Sequence, residues 1–202
     1  SYTIETADDG RAMMAIADGM GTGEMAACKS RLVIELVESL FENGYDTMAI
    51  PDMINSAIIE SKSDEPVTMD IVELNLDNGM GHVVKMGGAA SFILRNGKVI
   101  ILRPSSLPAG VIEEIEEDVW EQQFEDGDYI IMVSDGVADC LPFYDKESKL
   151  AEILEKMKYR NPQKMAEYIM SECHYFCGDD NVDDMTVLVM GVWKTKDLQT
   201  LK

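Results

Sequence analysis

The stretch "AIADGMGTGE", residues 15–24, is an apolar run that stops at Asp18 and becomes a turn studded with glycine at 19, 21 and 23. Two physical readings of it lead to two different folds. A Gly-x-Gly turn between a strand and a helix can cradle a phosphate on backbone N–H groups, as in dinucleotide-binding sheets. Alternatively, Asp18 is a metal ligand at a strand end, and Gly19 lets the backbone pass close enough for its carbonyl to face the same ion.

The surrounding sequence separates the two. "GTGEMA" at 21–26 does satisfy Gly-x-Gly-x-x-Ala. A dinucleotide fold then needs a second parallel strand ending in an acid that holds the ribose. After Gly44 the chain offers "YDTMAIPDM", the start of another helix, and Asp18 would repel a pyrophosphate. The metal reading instead requires further acids at strand ends, and they are present. "YIIMVSDG" repeats the pattern of "MMAIADG" and closes on Asp135-Gly136. "DDNVDDMTVLVMG" runs it in reverse, with acids at 179–184 leading into an apolar strand through Thr186. Each Asp-Gly could be a plain turn, as Asp126-Gly127 reads. If the strand ends meet, however, the carboxylates repel one another unless cations compensate them. Hard oxygen ligands without histidine point to Mg²⁺ or Mn²⁺.

The rest of the chain alternates helix pairs with β-hairpins. "EMAACKSRLVIELVESLFENG" places Met25, Cys28, Leu32, Leu36 and Leu40 at three- and four-residue steps, widened by Val33, Val37 and Phe41, and closes on Asn43-Gly44. A second helix is predicted over 49–62, with Pro51 in its first turn and Met53, Ile54, Ala57 and Ile58 inward. The period then changes to two: Val72, Leu74 and Leu76 alternate with polar residues, and "DNG" turns the chain into "HVVKM". "SFILRNGKVIIL" reads as a hairpin around Asn96-Gly97. "VWEQQF" and "YIIMV" give two more strands. One later helix carries Leu150, Ile153, Leu154 and Met157. Another is capped by Asn161, starts at Pro162 and buries Met165, Ile169 and Cys173. "MTVLVMGVW" is the last strand. Clustered helices and hairpins, without a βαβ rhythm, make the class α+β with antiparallel sheets.

Composition excludes several functions. A net charge of −21 over 202 residues offers no basic patch for nucleic acid. No run approaches 18 consecutive apolar residues, so no membrane-spanning helix is expected. Four scattered cysteines beside 15 methionines read as those of a reducing cytoplasm. "CHYFC" lacks the four ligands zinc wants, so Cys173 reads as a core residue. Cys140 lacks a Cys-x5-Arg phosphate loop and reads as packing.

"ADGMGTGEMA", "TMDIVELNL", "KMGGAASFILRNGKV", "SSLPAGV", "DGDYIIMVSDG" and "DDMTVLV" occur in an order that resembles the PPM (PP2C-like) serine/threonine phosphatases over nearly the whole chain. The spelling "DGMGTGE" is similar to the sporulation branch of that family rather than to its stress-response branch. The resemblance implies a four-layer α-β-β-α sandwich, two antiparallel sheets flanked by helix pairs, as one phosphatase domain over 1–202. Its N-terminal edge would be trimmed, because the family carries an acidic Gly-Asp strand just ahead of this point.

The resemblance also implies a centre of two ions, Mn²⁺ or Mg²⁺. Asp18 would bridge both and the Gly19 carbonyl would stand beside one, directly or through water. Asp135 and Asp183 would complete the other, with Asp184 as the neighbouring alternative to Asp183. Water activated between the ions would attack the phosphorus, leaving no role for cysteine. Many eukaryotic relatives have a histidine where this chain has Met20, so no proton donor is identified; His82 and His174 read as ordinary strand and helix residues. The implied substrate is a phosphoserine on an anti-sigma-factor antagonist protein during sporulation. The helix pair at 24–62 would act as a switch through the glycine hinge Gly19, Gly21 and Gly23. A homodimer or higher oligomer stays open, and the domain would be cytoplasmic, with any membrane anchor upstream. The competing reading is a catalytically silent interaction module whose acids hold structural metal. Retention of Asp18, Asp135 and Asp183 favours the enzyme.

Overall fold

Along the second strand, side chains alternate between two apolar environments, and that alternation generates the layers. Met13, Ala15 and Ala17 pack under one helix pair. Met14 and Ile16 pack against a second sheet. The computed structural model describes residues 1–21, 23–61, 65–141, 144–177 and 184–194. Its elements run β1 (Tyr2–Thr6), β2 (Arg11–Gly19), α1 (Glu24–Glu42), α2 (Ile50–Glu60), β3 (Val67–Asn75), β4 (Met80–Met86), β5 (Ser91–Arg95) and β6 (Lys98–Leu102). They continue with β7 (Asp118–Gln123), β8 (Tyr129–Val133), α3 (Asp135–Asp139), α4 (Lys146–Glu155), α5 (Pro162–Cys177) and β9 (Val187–Gly191).

One sheet has the order β1-β2-β3-β4-β7 and the other β6-β5-β8-β9. Every neighbouring pair in both sheets is antiparallel. Helices α1 and α2 cover the outer face of the first sheet, where Val37, Phe41, Ile50 and Ile54 meet Met69 and Ile71. Helices α3, α4 and α5 cover the second, where Leu150, Leu154 and Ile169 meet Phe92 and Ile131. Between the sheets lie Val72, Val83, Ile93, Ile130 and Met132. This is the expected α-β-β-α sandwich. Among the described residues no helix is long and apolar enough to cross a membrane.

Local chemistry accounts for most elements. Asn96 and Gly97 take φ of 51° and 75°, the left-handed pair that a two-residue hairpin turn demands. Asn161 Oδ1 accepts the Lys164 N–H at 3.1 Å and caps α5, which buries Met165, Ile169 and Cys173 as predicted. Helix α1 is phased differently from the expectation. Its buried face is Ala26, Ser30, Val33, Ile34, Val37, Leu40 and Phe41. Met25, Cys28, Leu32 and Leu36 are exposed. In α2, Ile54 is buried as expected, but Met53 and Ala57 face outward and Ile50 and Asn55 take the inner face. Strands β7 and β8, adjacent in sequence, belong to different sheets. Strand β1 pairs with β2 and was not anticipated.

Cys140 is more than a packing residue. It follows α3 and forms a disulfide with Cys177, the last residue of α5, with Cα atoms 5.0 Å apart. Cys28 and Cys173 are free thiols, the first exposed and the second buried. The bridge spans 37 residues of sequence and anchors the short helix that begins at Asp135. Closing a loop of that length stabilises by about 2–4 kcal/mol. Urea unfolding of the oxidised and the dithiothreitol-reduced protein should differ by that amount; superimposable curves would show that the bridge adds nothing.

Candidate metal centre

Three strands separated in sequence terminate at one end of the sandwich. Strand β2 runs out at Asp18 and Gly19, paired with Thr68 and Val67 at the start of β3. Strand β8 ends at Val133, Ser134 caps α3, and Asp135 is the first residue of that helix. Strand β9 starts opposite the end of β8, with Val187 against Val133. Ser134 pins this junction. Its N–H donates to the Thr186 carbonyl at 3.0 Å, and its Oγ accepts the Thr186 N–H at 2.9 Å. The same hydroxyl donates to the Asp184 carbonyl at 3.2 Å. Antiparallel pairing thus carries Asp184 to the side of the molecule where Asp135 lies.

Asp18, Gly19, Asp135 and Asp184 line one cleft of about 640 Å³. Asp183, the other acid expected there, lies outside the described residues. A further space of about 10 Å³, bordered by Asp18, Thr68, Asp70, Gly88 and Asp135, has room for one water-sized occupant. The backbone nitrogen of Ser1 also lies beside the cleft and donates to the Ala17 carbonyl at 2.9 Å.

Among the described residues, no three Asp, Glu, His or Cys side chains stand close enough around one point to enclose a metal ion. The donor chemistry nevertheless fits a hard divalent cation, because the cleft presents carboxylates and backbone carbonyls and no imidazole or thiol. In the small space beside the cleft a buried oxygen lacks a partner: Asp70 Oδ1 accepts no hydrogen bond. His82 lies in β4, and His174 is exposed on α5, so neither faces the cleft.

The glycines do two jobs. A Cβ at Gly19 would come within 2.6 Å of the Ala26 carbonyl oxygen, so only glycine lets α1 approach the strand end this closely. The Gly19 N–H donates to Ser30 Oγ at 2.8 Å, and that hydroxyl donates to the Ala26 carbonyl at 2.9 Å. Gly21 and Gly23 have φ of 122° and 94°, a region other residues rarely adopt, and Gly23 caps α1. The first turns of α1 are therefore wired to the backbone of Gly19.

Sequence reasoning passed over Ser30, Asp70, Lys85 and Ser91. The last three form a buried cluster on the inner sheet faces: Asp70 lies opposite Lys85 across β3 and β4, and their side chains form an ion pair. Lys85 Nζ also donates to Ser91 Oγ at 3.0 Å. Burial pushes the Asp70 carboxyl up, Lys85 and Ser91 draw it down, and Asp135 adds to the upward push. The available signal was a lone charge in each of two apolar runs, "TMDIV" and "HVVKM".

A family model described as Stage II sporulation protein E (SpoIIE) matches residues 8–193. The chain is 33% identical over 191 residues to stage II sporulation protein E of Priestia megaterium, covering 94% of this chain and 33% of that protein. It is 30% identical over 194 residues to the protein of that name from Bacillus subtilis strain 168, covering 95% and 24%. The chain therefore spans a quarter to a third of the length of these relatives. The solved PP2C phosphatase domain of Bacillus subtilis SpoIIE, with a fragment of its regulatory domain, matches with a TM-score of 0.87 at 29% identity, covering 95% of this chain and 58% of that one. On its sequence and its sandwich of paired sheets and helices, the chain belongs to the stage II sporulation protein E family and has the fold of a PP2C phosphatase domain.

Proposed function

We propose that the chain is a metal-dependent protein serine phosphatase that hydrolyses phosphoserine by activated water. The observation that carries this reading is that Asp18, Asp135 and Asp184, from three separate chain segments, open on one cleft of a PP2C-type fold. Asp18 and the Gly19 carbonyl would hold one of two ions, with Asp18 shared. Asp135 and Asp183 would hold the other, with Asp184 adjacent. Mn²⁺ or Mg²⁺, when bound, supplies a lowered pKa for water and neutralises charge on the phosphoryl oxygens. The chain's own part is to orient these oxygens and to present an acidic cleft that repels phosphate until its charge is offset.

Thiol chemistry is a poor alternative here. Cys140 is tied in a disulfide, and burial pushes the Cys173 thiol up to about 11. Cys28 lies on the exposed face of α1 and does not line the cleft. Met20, half exposed at the cleft, cannot give the leaving serine oxygen a proton, so a water held at the ions or solvent would supply it. The substrate on this reading is a phosphoserine of an anti-sigma-factor antagonist protein. The domain would work on the cytoplasmic side, with any membrane attachment supplied from outside this chain, alone or as a homodimer or higher oligomer.

Helices α1 and α2, within 24–62, would form a switch that sets cation occupancy through Gly19, Gly21 and Gly23. Supporting this, the Ser30 hydroxyl joins α1 to the Gly19 N–H. Ser30→Ala orphans that buried donor, which costs about 1–3 kcal/mol. The Mn²⁺ concentration for half-maximal activity should rise several-fold, with the rate at saturating Mn²⁺ nearly preserved. An unchanged Mn²⁺ dependence would reduce α1 to plain core packing.

Hydrolysis of p-nitrophenyl phosphate with and without Mn²⁺ tests the reaction itself. Turnover should require Mn²⁺, and Asp135→Asn should lower kcat/KM by about 100-fold or more, or about 2.7 kcal/mol. Wild-type protein that binds Mn²⁺ and hydrolyses neither this ester nor a phosphoserine peptide would identify the silent interaction module instead.

A further inference from the structure

We propose that Asp70 is a further ligand of the cation centre, contributing its Oδ1 from strand β3 beside Asp18 and Asp135. The inference rests on the cation reading above and extends it to a residue outside the strand-end acids.

Asp70 is 3% exposed and Lys85 0%. Every polar contact of the carboxylate falls on one oxygen: Oδ2 takes the Lys85 ammonium and, at 3.2 Å, the Ser91 hydroxyl. Oδ1 is equally buried and accepts nothing. A carboxylate has acceptor capacity on both oxygens, and a buried acceptor without a partner is costly. An ion pair serving the core alone gains nothing from this one-sided arrangement, since well-packed apolar residues would do as well.

The direction in which Oδ1 points supplies the reason. Asp70 borders the small space shared with Asp18, Thr68, Gly88 and Asp135. Gly88, at a φ of 77°, keeps that space open: a Cβ there would lie 3.9 Å from Oδ1 and 3.3 Å from the Thr68 Cβ. Asp18, Asp70 and Asp135 then border one space of about 10 Å³ without enclosing a single point, and the Lys85 ammonium engages the far oxygen of Asp70. A divalent cation on which these acids close, or a water bound to one, would give Oδ1 the partner it lacks. Lys85 and Ser91 act as the outer hydrogen-bonding partners that fix a ligating carboxylate in orientation.

Calorimetric titration with MnCl₂ tests this on the wild type, Asp70→Asn, and the double variant Asp70→Asn/Lys85→Met, in which no buried ammonium is stranded. Both variants should bind Mn²⁺ about 10–100-fold more weakly, or lose one equivalent. Their far-ultraviolet circular dichroism should match the wild type. Mn²⁺ should also raise their melting temperatures less. Affinity and stoichiometry equal to the wild type in either folded variant would overturn the assignment. A second readout needs no substitution: in wild-type protein labelled with carboxyl-¹³C aspartate, Mg²⁺ should move the Asp70 signal within the first two equivalents. A static Asp70 signal while those of Asp18 and Asp135 shift would sink it. If the wild type itself bound no Mn²⁺, the cation reading would fall and Asp70 with it. That result is distinct from a centre that binds normally without Asp70.

Discussion

Acids gathered where a dry core opens onto a cleft are the constraint on which the rest of this structure depends. The space between the sheets is filled by Met14, Val72, Val83, Ile93 and Ile130, and at one end it turns polar. There the inner positions become Asp18 and Thr68 on one sheet and Ser91 and Ser134 on the other, with the Asp70–Lys85 pair between strands β3 and β4. Asp70, buried there, is unfavourable unless positive charge meets it, whereas Asp18 is half-buried and Asp135 and Asp184 are exposed. Lys85 meets the Asp70 charge from inside the fold, and the proposed cation centre would act on the acids at the strand ends.

The two sides of the site are held by different contacts. Asp135 and Asp184 are held by the β8–β9 ladder and by Ser134, which bonds both the Thr186 backbone and the Asp184 carbonyl. The disulfide to Cys177 anchors the helix that Asp135 begins. Asp18 and Gly19 also leave a sheet, but the chain beyond them passes through glycines to α1, which touches Gly19 through the Ser30 hydroxyl and the Ala26 backbone. On the proposed reading, substitution at Ser30 or in the glycines would act on the Asp18 side of the centre.

Much of this was legible before any coordinates. Asn96-Gly97 dictated a hairpin through its backbone conformation, Asn161-Pro162 dictated a helix start, and the strand-end acids were visible because each borders an apolar run. What the sequence concealed has physical causes. Helix α1 is apolar around much of its circumference, so periodicity could not decide which row, Met25-Cys28-Leu32-Leu36 or Ala26-Val33-Val37-Phe41, lies inward. The pairing of Asp70 with Lys85 depends on the register of β3 against β4, and the joining of Cys140 to Cys177 on how α3 meets α5. Neither is written in local spacing. Strands β7 and β8 read alike in sequence, and only the tertiary fold assigns them to opposite sheets.

The central claim is that acids from separate strands share divalent cations in the cleft beside Asp18. Anomalous diffraction at the manganese edge, from crystals of the wild-type chain grown with Mn²⁺, addresses it most directly. The account predicts two peaks within coordinating distance of Asp18, one of them also reaching Asp135. Manganese bound only elsewhere on this acidic surface, with Asp18 and Asp135 ligating nothing, would contradict it.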